Sequence, residues 1–591
     1  MTLTDDLSKI VGEAFASEGL DAALGKVRVA DRPDLAQFQC NGALAAAKAA
    51  KKNPRAIGET VATVLKQNSI FAKVDLAGPG FINLNLADDY LSKRITEISE
   101  DATLGGWRKP TPEKIVFDYG GPNVAKPLHV GHLRSAIIGE ALKRLFRFVG
   151  DEAIGDVHLG DWGLQMGQLI SELELRAPDL PYFQEGNNGP FPSDPPINLA
   201  DLEEMYPVAS AACKEDEARA EAARTATKAL QDGHLGYRAL WRHFVDLSVA
   251  AMRVNYDDLG VHFELWKGEA DADALMSEMM SDLEAKGLVE TSDGAQIIRV
   301  ARESDNKEMP PLMLVNSRGA VGYHATDIAT ILDRKKSLDP ASILYVVDNR
   351  QSLHFEQVFR AADAAGYFPI DRLEHLGFGT MQGKDGKPFK TREGGVLKLR
   401  DLIDMVTEKA RERMDESGFA PAEGGGQDDG LTEATAHKIG IAALKFADLS
   451  NQRTTDYIFD LDRFTSFEGK TGPYLLYASV RIRSVMAKAQ VTDEKDRQPV
   501  RLAAKEERDL ALTIAAFGDV TRNAYQKRMP HFLCEHAFSL AQSFSKFYAA
   551  CRITDEADEA VKASRIALVS VTGRQLALVL DLLGIVPPER M

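Results

Sequence analysis

The stretch from Ile115 to Val149 constrains this 591-residue chain more than any other part. Ile115 to Phe117 form a short apolar run that reads as a buried strand, and Gly120 to Pro122 break it. Leu133, Ile137, Ile138, Ala141, Leu145 and Phe148 then recur at helical spacing up to Val149. The turn therefore opens a helix. His129-Val130-Gly131-His132 stands at its start, so two imidazoles three residues apart share one side of the first turn. Free backbone N–H groups and the helix dipole favour phosphate there. Gly131 lets a flat ring or a phosphate approach the backbone. Four residues alone are equally the pattern of a plain helix cap.

Length sets a prior of roughly three to five domains with ample core. Cys40, Cys213, Cys534 and Cys551 contain no Cys-x-x-Cys pair, which fits a reducing compartment. The histidines lack a cysteine or carboxylate at zinc spacing, so no metal site and no zinc are expected. No uninterrupted apolar run reaches about 18 residues, and the amino terminus lacks the basic start of a signal peptide. No membrane partner and a cytoplasmic location are the expectation. Net charge is −17, so any nucleic-acid contact must use local basic faces, such as Lys48, Lys51, Lys52 and Arg55, or Arg481, Arg483 and Lys488. Each of these is equally a solvated helix face.

The organisation divides into segments 1–110, 111–170, 171–255, 256–380, 381–455 and 456–591. In the first, Leu3 to Phe15, Ala43 to Ala50 and Ile57 to Leu65 read as helices, and Lys73 to Leu86 as two strands about Gly78-Pro79-Gly80. Alternation puts Phe81, Asn83 and Asn85 on one face and Ile82, Leu84 and Leu86 on the other. Prolines and glycines from Pro178 to Pro196 mark a loop, and Lys214 to Ala229 reads as a charged helix. Gln296 to Val300, Met313 to Val315 and Ile343 to Val347 read as strands that close a parallel sheet with the first. From Ala436 onward the pattern is helical. Phe532, Leu533, His536, Ala537, Leu540, Ala541, Phe544 and Phe547 form a core stripe on which His536 is a packed histidine. The expected class is therefore multidomain α/β, with an α+β segment before a nucleotide-binding core and a helical bundle after it.

Ligands of parallel sheets sit at the carboxyl ends of strands. Three polar clusters fall there: Asp118 with Asn123; Tyr323 with Asp327; and Asp348, Gln351 and His354. Two carboxylates with Tyr323, Asn123 and Gln351 suit a cation, since a guanidinium wants oxygen acceptors at fork spacing. The same residues equally read as helix caps at Asp327 and Asp348 and a tyrosine packed in the sheet. Next, Thr380 to Gly395 is rich in glycine and cations: Lys384, Lys387, Lys390 and Arg392 could clamp a departing pyrophosphate.

Together, Pro122-Asn123-Val124-Ala125-Lys126-Pro127, His129-Val130-Gly131-His132 and His158-Leu159-Gly160-Asp161-Trp162-Gly163 resemble the HIGH region of class I aminoacyl-tRNA synthetases, in particular the arginyl-tRNA synthetases. The resemblance runs from about residue 1 to Met591. It implies a Rossmann-like HIGH/KMSKS core between an N-terminal tRNA-elbow domain and a helical anticodon-binding bundle. By position, Asp118, Asn123, Tyr323, Asp327 and Gln351 would bind arginine; His129, Gly131, His132 and Lys390 would bind ATP. Gly120-Gly121 departs from the family, which more often has a serine there. The loop from Lys384 to Arg392 matches the KMSKS loop in degenerate form, and Lys126, three residues before the HIGH motif, stands where arginyl enzymes with such loops carry a compensating lysine. Catalysis would then fall to His129, His132, Lys126, Lys384, Lys387, Lys390 and Arg392. Phe81 and Asn83 would contact the tRNA D-loop, where a ring and an amide suit an unpaired base. Tyr474, Tyr477, Arg481 and Met591 would lie near the anticodon.

The reading is an arginine–tRNA ligase with ATP, accompanied by Mg²⁺ as its salt, L-arginine and tRNA(Arg) as partners, acting as a monomer. Two alternatives are another nucleotidyltransferase of the same fold and a non-catalytic tRNA-binding paralogue. The first would end near the loop, whereas this chain continues for roughly 200 residues of helical pattern. The second would be expected to lose His129, His132 or the acidic pair.

Overall fold

The apolar run at Ile115 is a strand, β1 (Lys114–Tyr119), and the helix after the turn is α1 (Val130–Val149). In the computed structural model, residues 2–387, 397–416, 429–490 and 498–591 are described. They group into two units. One comprises Thr111–Lys409 and Asn451–Asp462; the other comprises Met1–Pro110, Ala410–Ser450 and Arg463–Met591.

In the first unit, β2 (Glu152–Asp156), α2 (Glu269–Ala285), α3 (Tyr323–Ser337), β3 (Ser342–Val346), α4 (Ser352–Ala364) and β4 (Leu373–His375) follow α1. The four strands form one parallel sheet in the order β4-β3-β1-β2. From β1 the chain first builds to one side, through α1 to β2, and later to the other, through α3 to β3. That reversal lies between β1 and β3, where an open α/β sheet leaves a crevice at its carboxyl ends. Register aligns His375, Tyr345, Asp118 and Asp156 across the four strands at this edge. Val116 and Ile343, with Tyr345 of that row, pack against Ala325, Ile328 and Ala329 of α3 and Phe355 and Phe359 of α4.

Two expected members of the parallel sheet lie elsewhere. Ala295–Ile298 and Leu312–Val315 pair antiparallel with each other, and Glu290–Ser292 completes a separate three-stranded sheet. The physical reason is the connection between them, residues 299–311, which carries no helix and so cannot make the crossover that parallel neighbours require. Tyr323 and Asp327 therefore begin a helix after an antiparallel strand and do not end a parallel one. The expected helix over Lys214 to Ala229 is two helices, Leu199–Glu215 and Glu217–Gln231. Asp216 separates them, its carboxylate accepting from Ala218 N–H at 2.8 Å as a cap for the second.

In the second unit, helices Leu3–Ser17, Gly42–Ala50 and Pro54–Leu65 accompany a four-stranded antiparallel sheet. Its hairpin, Phe71–Ala77 with Phe81–Leu86, turns through Gly78 (φ 50°) and Gly80 (φ 143°), where a side chain would be strained. Within the same unit lie the carboxyl-terminal helices Gly472–Lys488, Lys505–Ala515, Phe517–Lys527, His531–Ala550 and Glu559–Leu582. Arg508 pairs with Asp88, and Thr4 N–H donates to Asp519 at 3.1 Å, tying the amino-terminal segment to this bundle. His536 is buried, 5.2 Å from the Phe517 ring and 3.0 Å from the Gln575 amide oxygen, as its place on the stripe predicts. Glu559–Leu582 is long and apolar enough to cross a membrane, unlike the short runs the sequence suggested. Leu568, Val571, Leu576 and Val579 of that helix are buried in the bundle.

Candidate active site

His129 is the N-cap of α1, with extended backbone, and its Nδ1 accepts from Gly131 N–H at 3.0 Å. His132 Nδ1 reaches back to accept from His129 N–H at 3.1 Å. Two orphan amide donors at a helix start are thus satisfied by the two imidazoles themselves. The rings lie 4.0 Å apart between centroids. This hydrogen bonding assigns the proton to Nε2 on each ring, so both present an N–H donor. Burial, then Lys126, lowers the pKa of His129, while burial, His129 and Lys126 push His132 down to about 3. They are neutral donors at pH 7. A side chain at Gly131 would place its Cβ 2.7 Å from the His129 ring, so glycine is required to let the imidazole fold over the backbone.

Two sequence motifs are laced together beside this helix start. Gly160 N–H donates to the Pro122 carbonyl at 3.0 Å and Val124 N–H donates to the Gly160 carbonyl at 3.0 Å. A Cβ at Gly160 would meet the Asn123 amide oxygen at 2.2 Å, so this glycine is what lets Asn123 lie against the second motif. Lys126 holds its ammonium 4.8 Å from the Tyr206 ring centroid. The cation-rich loop is anchored here too. Before it, Arg134 of α1 donates to the Gly379 carbonyl at 2.6 Å; after it, Val130 N–H donates to Leu397 and Leu399 N–H to Leu128, at 3.1 and 2.8 Å. Lys384 pairs with Asp460 at 3.3 Å, and Lys387 closes a turn by accepting from Gly383 N–H at 2.8 Å. Lys390 and Arg392 lie outside the described residues.

A second group, at the starts of α2 and α3, is acidic. Asp327, one turn into α3, pairs with His354 of α4, whose ring lies 4.5 Å from that of His324. Glu269, the first residue of α2, accepts from Trp162 N–H; burial, then the Asp327 charge, pushes its carboxyl up to about 7. Asp161 caps the same helix, accepting from Ala270 N–H at 3.1 Å. Burial, with Glu269 and Asp271 adding, pushes it to about 7 as well. Tyr323 is 70% exposed and does not pack in the sheet; its hydroxyl stands 3.8 Å from where a Cβ at Gly163 would be. Gln351 is exposed at the start of α4, and Asp348 is occupied by Arg350 at 2.8 Å.

Asp118, expected to bind arginine, is engaged within the protein. Arg334 of α3 donates to it and to Asp156, each at 2.7 Å, leaving the Asp118 side chain 11% exposed. Burial opposes the charge on Arg334, but the two carboxylates hold its pKa well above the usual range. Glu269 and Arg334 were invisible to sequence reasoning. A glutamate at a helix start reads as a response to the dipole, and Arg334-Lys335-Lys336 reads as a solvated basic end. The structure thus groups His129, His132 and Lys126 at the start of α1, and Asp327, Glu269 and Tyr323 at the starts of α3 and α2.

A model of the class I tRNA synthetase (R) catalytic domain matches residues 94–461, one of the DALR anticodon-binding domain residues 475–591, and one of the arginyl-tRNA synthetase N-terminal domain residues 1–86. The chain is 52% identical to an arginine–tRNA ligase of Hyphomonas neptunium and 51% to one of Maricaulis maris, over the full length of both partners. The chain belongs to the class I arginyl-tRNA synthetases. Its fold is also that of solved structures of arginyl-tRNA synthetases from Plasmodium falciparum (TM-score 0.79, 24% identity) and Thermus thermophilus (TM-score 0.78, 23% identity), each covered in full. The protein is an aminoacyl-tRNA ligase, and ATP is its substrate.

For this synthetase, the residues expected to touch tRNA are placed unevenly. Phe81 is half-buried on the hairpin, while Asn83 is 6% exposed and its amide oxygen accepts from Gln39 at 2.9 Å. The alternation that put Asn83 on the polar face holds, but Gln39 on the neighbouring strand engages it. In the bundle, Tyr474 packs 5.6 Å from Phe538, Tyr477 is exposed, and the Arg481 guanidinium lies 4.2 Å from the Tyr548 ring. Met591 is half-exposed. Among the described residues, no group of three or more His, Cys, Asp or Glu is arranged to hold a metal.

Proposed function

We propose that the crevice between β1 and β3 holds L-arginine at its acidic wall and ATP at the start of α1. The side-chain guanidinium lies between Asp327, Tyr323 and Glu269, and the α-ammonium faces Asn123, Gln351 and the open edge of Asp118. The observation that carries this reading is the acidic cluster at the start of α2: half-buried Glu269, pushed up to about 7 with the Asp327 charge beside it, and buried Asp161, raised likewise with Glu269 beside it. Carboxyls in such a state are short of a cation, and the substrate supplies two.

In the first step an oxygen of the arginine carboxylate attacks the α-phosphorus of ATP, and the bond to the bridging oxygen breaks as pyrophosphate leaves. His129 and His132 donate from Nε2 to oxygens that gain charge at that phosphorus, with Gly131 giving backbone access. Lys126, Lys384 and Lys387, together with Lys390 and Arg392, neutralise the leaving pyrophosphate. Mg²⁺ accompanies ATP as its salt and carries part of the same charge. In the second step a ribose hydroxyl of the terminal adenosine of tRNA attacks the arginyl carbonyl, and AMP departs. The work is alignment and charge stabilisation, with no covalent enzyme intermediate.

Phe81 and Asn83 meet the tRNA elbow through residues 1–110, and Tyr474, Tyr477, Arg481 and Met591 meet the anticodon through residues 456–591. The remaining boundaries, 111–170, 171–255, 256–380 and 381–455, are part of the proposal, as are a monomeric state and a cytoplasmic place of action. Light scattering at micromolar concentration tests the monomer. The central test is pyrophosphate exchange with each of the twenty amino acids, with and without tRNA. Arginine alone is expected to support exchange; exchange driven by another amino acid, or by none, overturns the reading.

A further inference from the structure

We propose that Arg334 is a positioning residue that fixes which way round arginine lies in the site. The inference rests on the substrate pocket assigned above and goes beyond it. The starting point is strand register. Asp118 and Asp156 are direct partners on β1 and β2, and Tyr345 is the partner of Asp118 on β3, so the three side chains stand in a row on one face of the sheet. Two carboxylates on neighbouring strands form an acceptor pair shaped for a guanidinium. Arg334 fills it. Its Nη2 donates to Asp118 and Asp156 at 2.7 Å each, Nε donates to Asp156 at 3.3 Å, and the guanidinium carbon lies 5.5 Å from the Tyr345 ring centroid.

The helix that delivers Arg334 also delivers the substrate acceptors. Tyr323, Asp327 and Arg334 are spaced by four and seven residues on α3, so they lie along one stripe of that helix. The stripe therefore presents a guanidinium acceptor at Asp327 and, about 10 Å further along, a guanidinium of its own. Five carboxylates gather at this end of the sheet: Asp118, Asp156, Asp161, Glu269 and Asp327. Arginine could approach such a group with its side chain toward either Asp327 or Asp118. Arg334 occupies the second place permanently, leaving only the exposed edge of Asp118, which suits a compact ammonium better than a fork.

A buried arginine between two aspartates is also a common way to brace a fold, so the test separates the two roles. The first variant is Arg334→Ala, which leaves a cavity facing two carboxylates. Arginine-dependent pyrophosphate exchange with tRNA present is expected to lose about 100-fold in kcat/KM for arginine, the scale of a misplaced substrate, while KM for ATP changes less than about twofold. Methylguanidinium should restore at least about tenfold of that loss by entering the vacated cavity, whereas in the parent it only inhibits. The second variant, Arg334→Met with Asp156→Asn, removes one cation and one anion together and so leaves no added buried charge. It is expected to keep the parent's thermal midpoint and still be at least about tenfold low in kcat/KM for arginine. Parental kcat/KM in the double variant overturns the proposal. So does methylguanidinium that restores the thermal midpoint of Arg334→Ala but not its kcat/KM. Failure of the underlying pocket assignment is distinct: there, Asp327→Asn in an otherwise parental chain would leave arginine kinetics unchanged.

Discussion

The two walls of the crevice differ in what they need from a ligand. At the start of α1 the backbone donors are met by the two imidazoles, each of which accepts an N–H at Nδ1, and both rings are held neutral by burial. At the acidic wall the opposite holds. Asp161 is buried and Glu269 half-buried, and lost hydration together with neighbouring carboxylates raises both to about 7. On the proposed reading, the first wall is preorganised for charge that develops during reaction, and the second is a ground-state trap for charge already present. Catalysis gains only from the former, and selectivity mostly from the latter.

The largest effect should therefore appear in selectivity. A site built to pair a guanidinium rejects an analogue without one by about 10⁴–10⁵, because its acceptors are left unpaired. Lysine and citrulline should be excluded to that extent in kcat/KM for exchange. Lysine within a hundredfold of arginine would mean that the acidic wall does not discriminate. Next comes Asp327→Asn, expected to weaken arginine by about 2–5 kcal/mol while leaving ATP unaffected. Steady-state KM values for both substrates decide it, and a variant that lost ATP while keeping arginine would place Asp327 on the wrong wall.

His132→Ala should lower kcat by about 10²–10³ with little change in arginine affinity, the usual size of a lost donor to a developing charge. With its pKa near 3, His132 contributes no acid limb to the kcat profile above about pH 5. A limb in that range abolished by this variant would show that the ring acts as a cation. Smaller still is a proton signal at the other wall. Near pH 6.5 Glu269 and Asp161 are partly protonated, and an arriving cation lowers both pKa values, so arginine binding releases protons and tightens as pH rises from about 6 to 8. Titration calorimetry in buffers of different ionisation enthalpy reads the release, and Glu269→Gln should diminish it. At the end of the scale, deleting Gln184 to Pro195, in the loop 177–198, should leave the arginine-over-lysine ratio unchanged. A collapse of that ratio would make the loop an editing element.

The histidine wall was legible in the sequence because its logic is local. A strand, a glycine turn and a His-x-Gly-His helix start are set within about 20 residues, and the hydrogen bonds that fix the ring tautomers span two or three positions. The acidic wall was legible only in part. Asp327 and Tyr323 share one helix, but Glu269 comes from another and Arg334 from two turns further on, and their pairing depends on strand register that no short window contains. The same reason explains the misplaced strands: apolar runs at Gln296 and Met313 announce strands, but direction is set by the connection, and residues 299–311 carry no crossover helix. Asn83 shows a third limit. Alternation gave its face correctly, yet its hydrogen-bond partner, Gln39, comes from a strand more than forty residues away.

His129 gives the helix its cap and the site its donor with the same ring. Residues that serve chemistry usually weaken the fold that holds them, so stabilising substitutions at active sites tend to cost activity. Here the two interests coincide. A side chain at position 131 would displace the ring, release the amide it covers and remove the donor in one event, and replacing His129 would do the same from the other direction. Under the proposed role, selection for a sturdier protein and selection for a faster one press on these positions in the same sense, and a screen for thermal stability alone would preserve this donor without ever measuring a turnover.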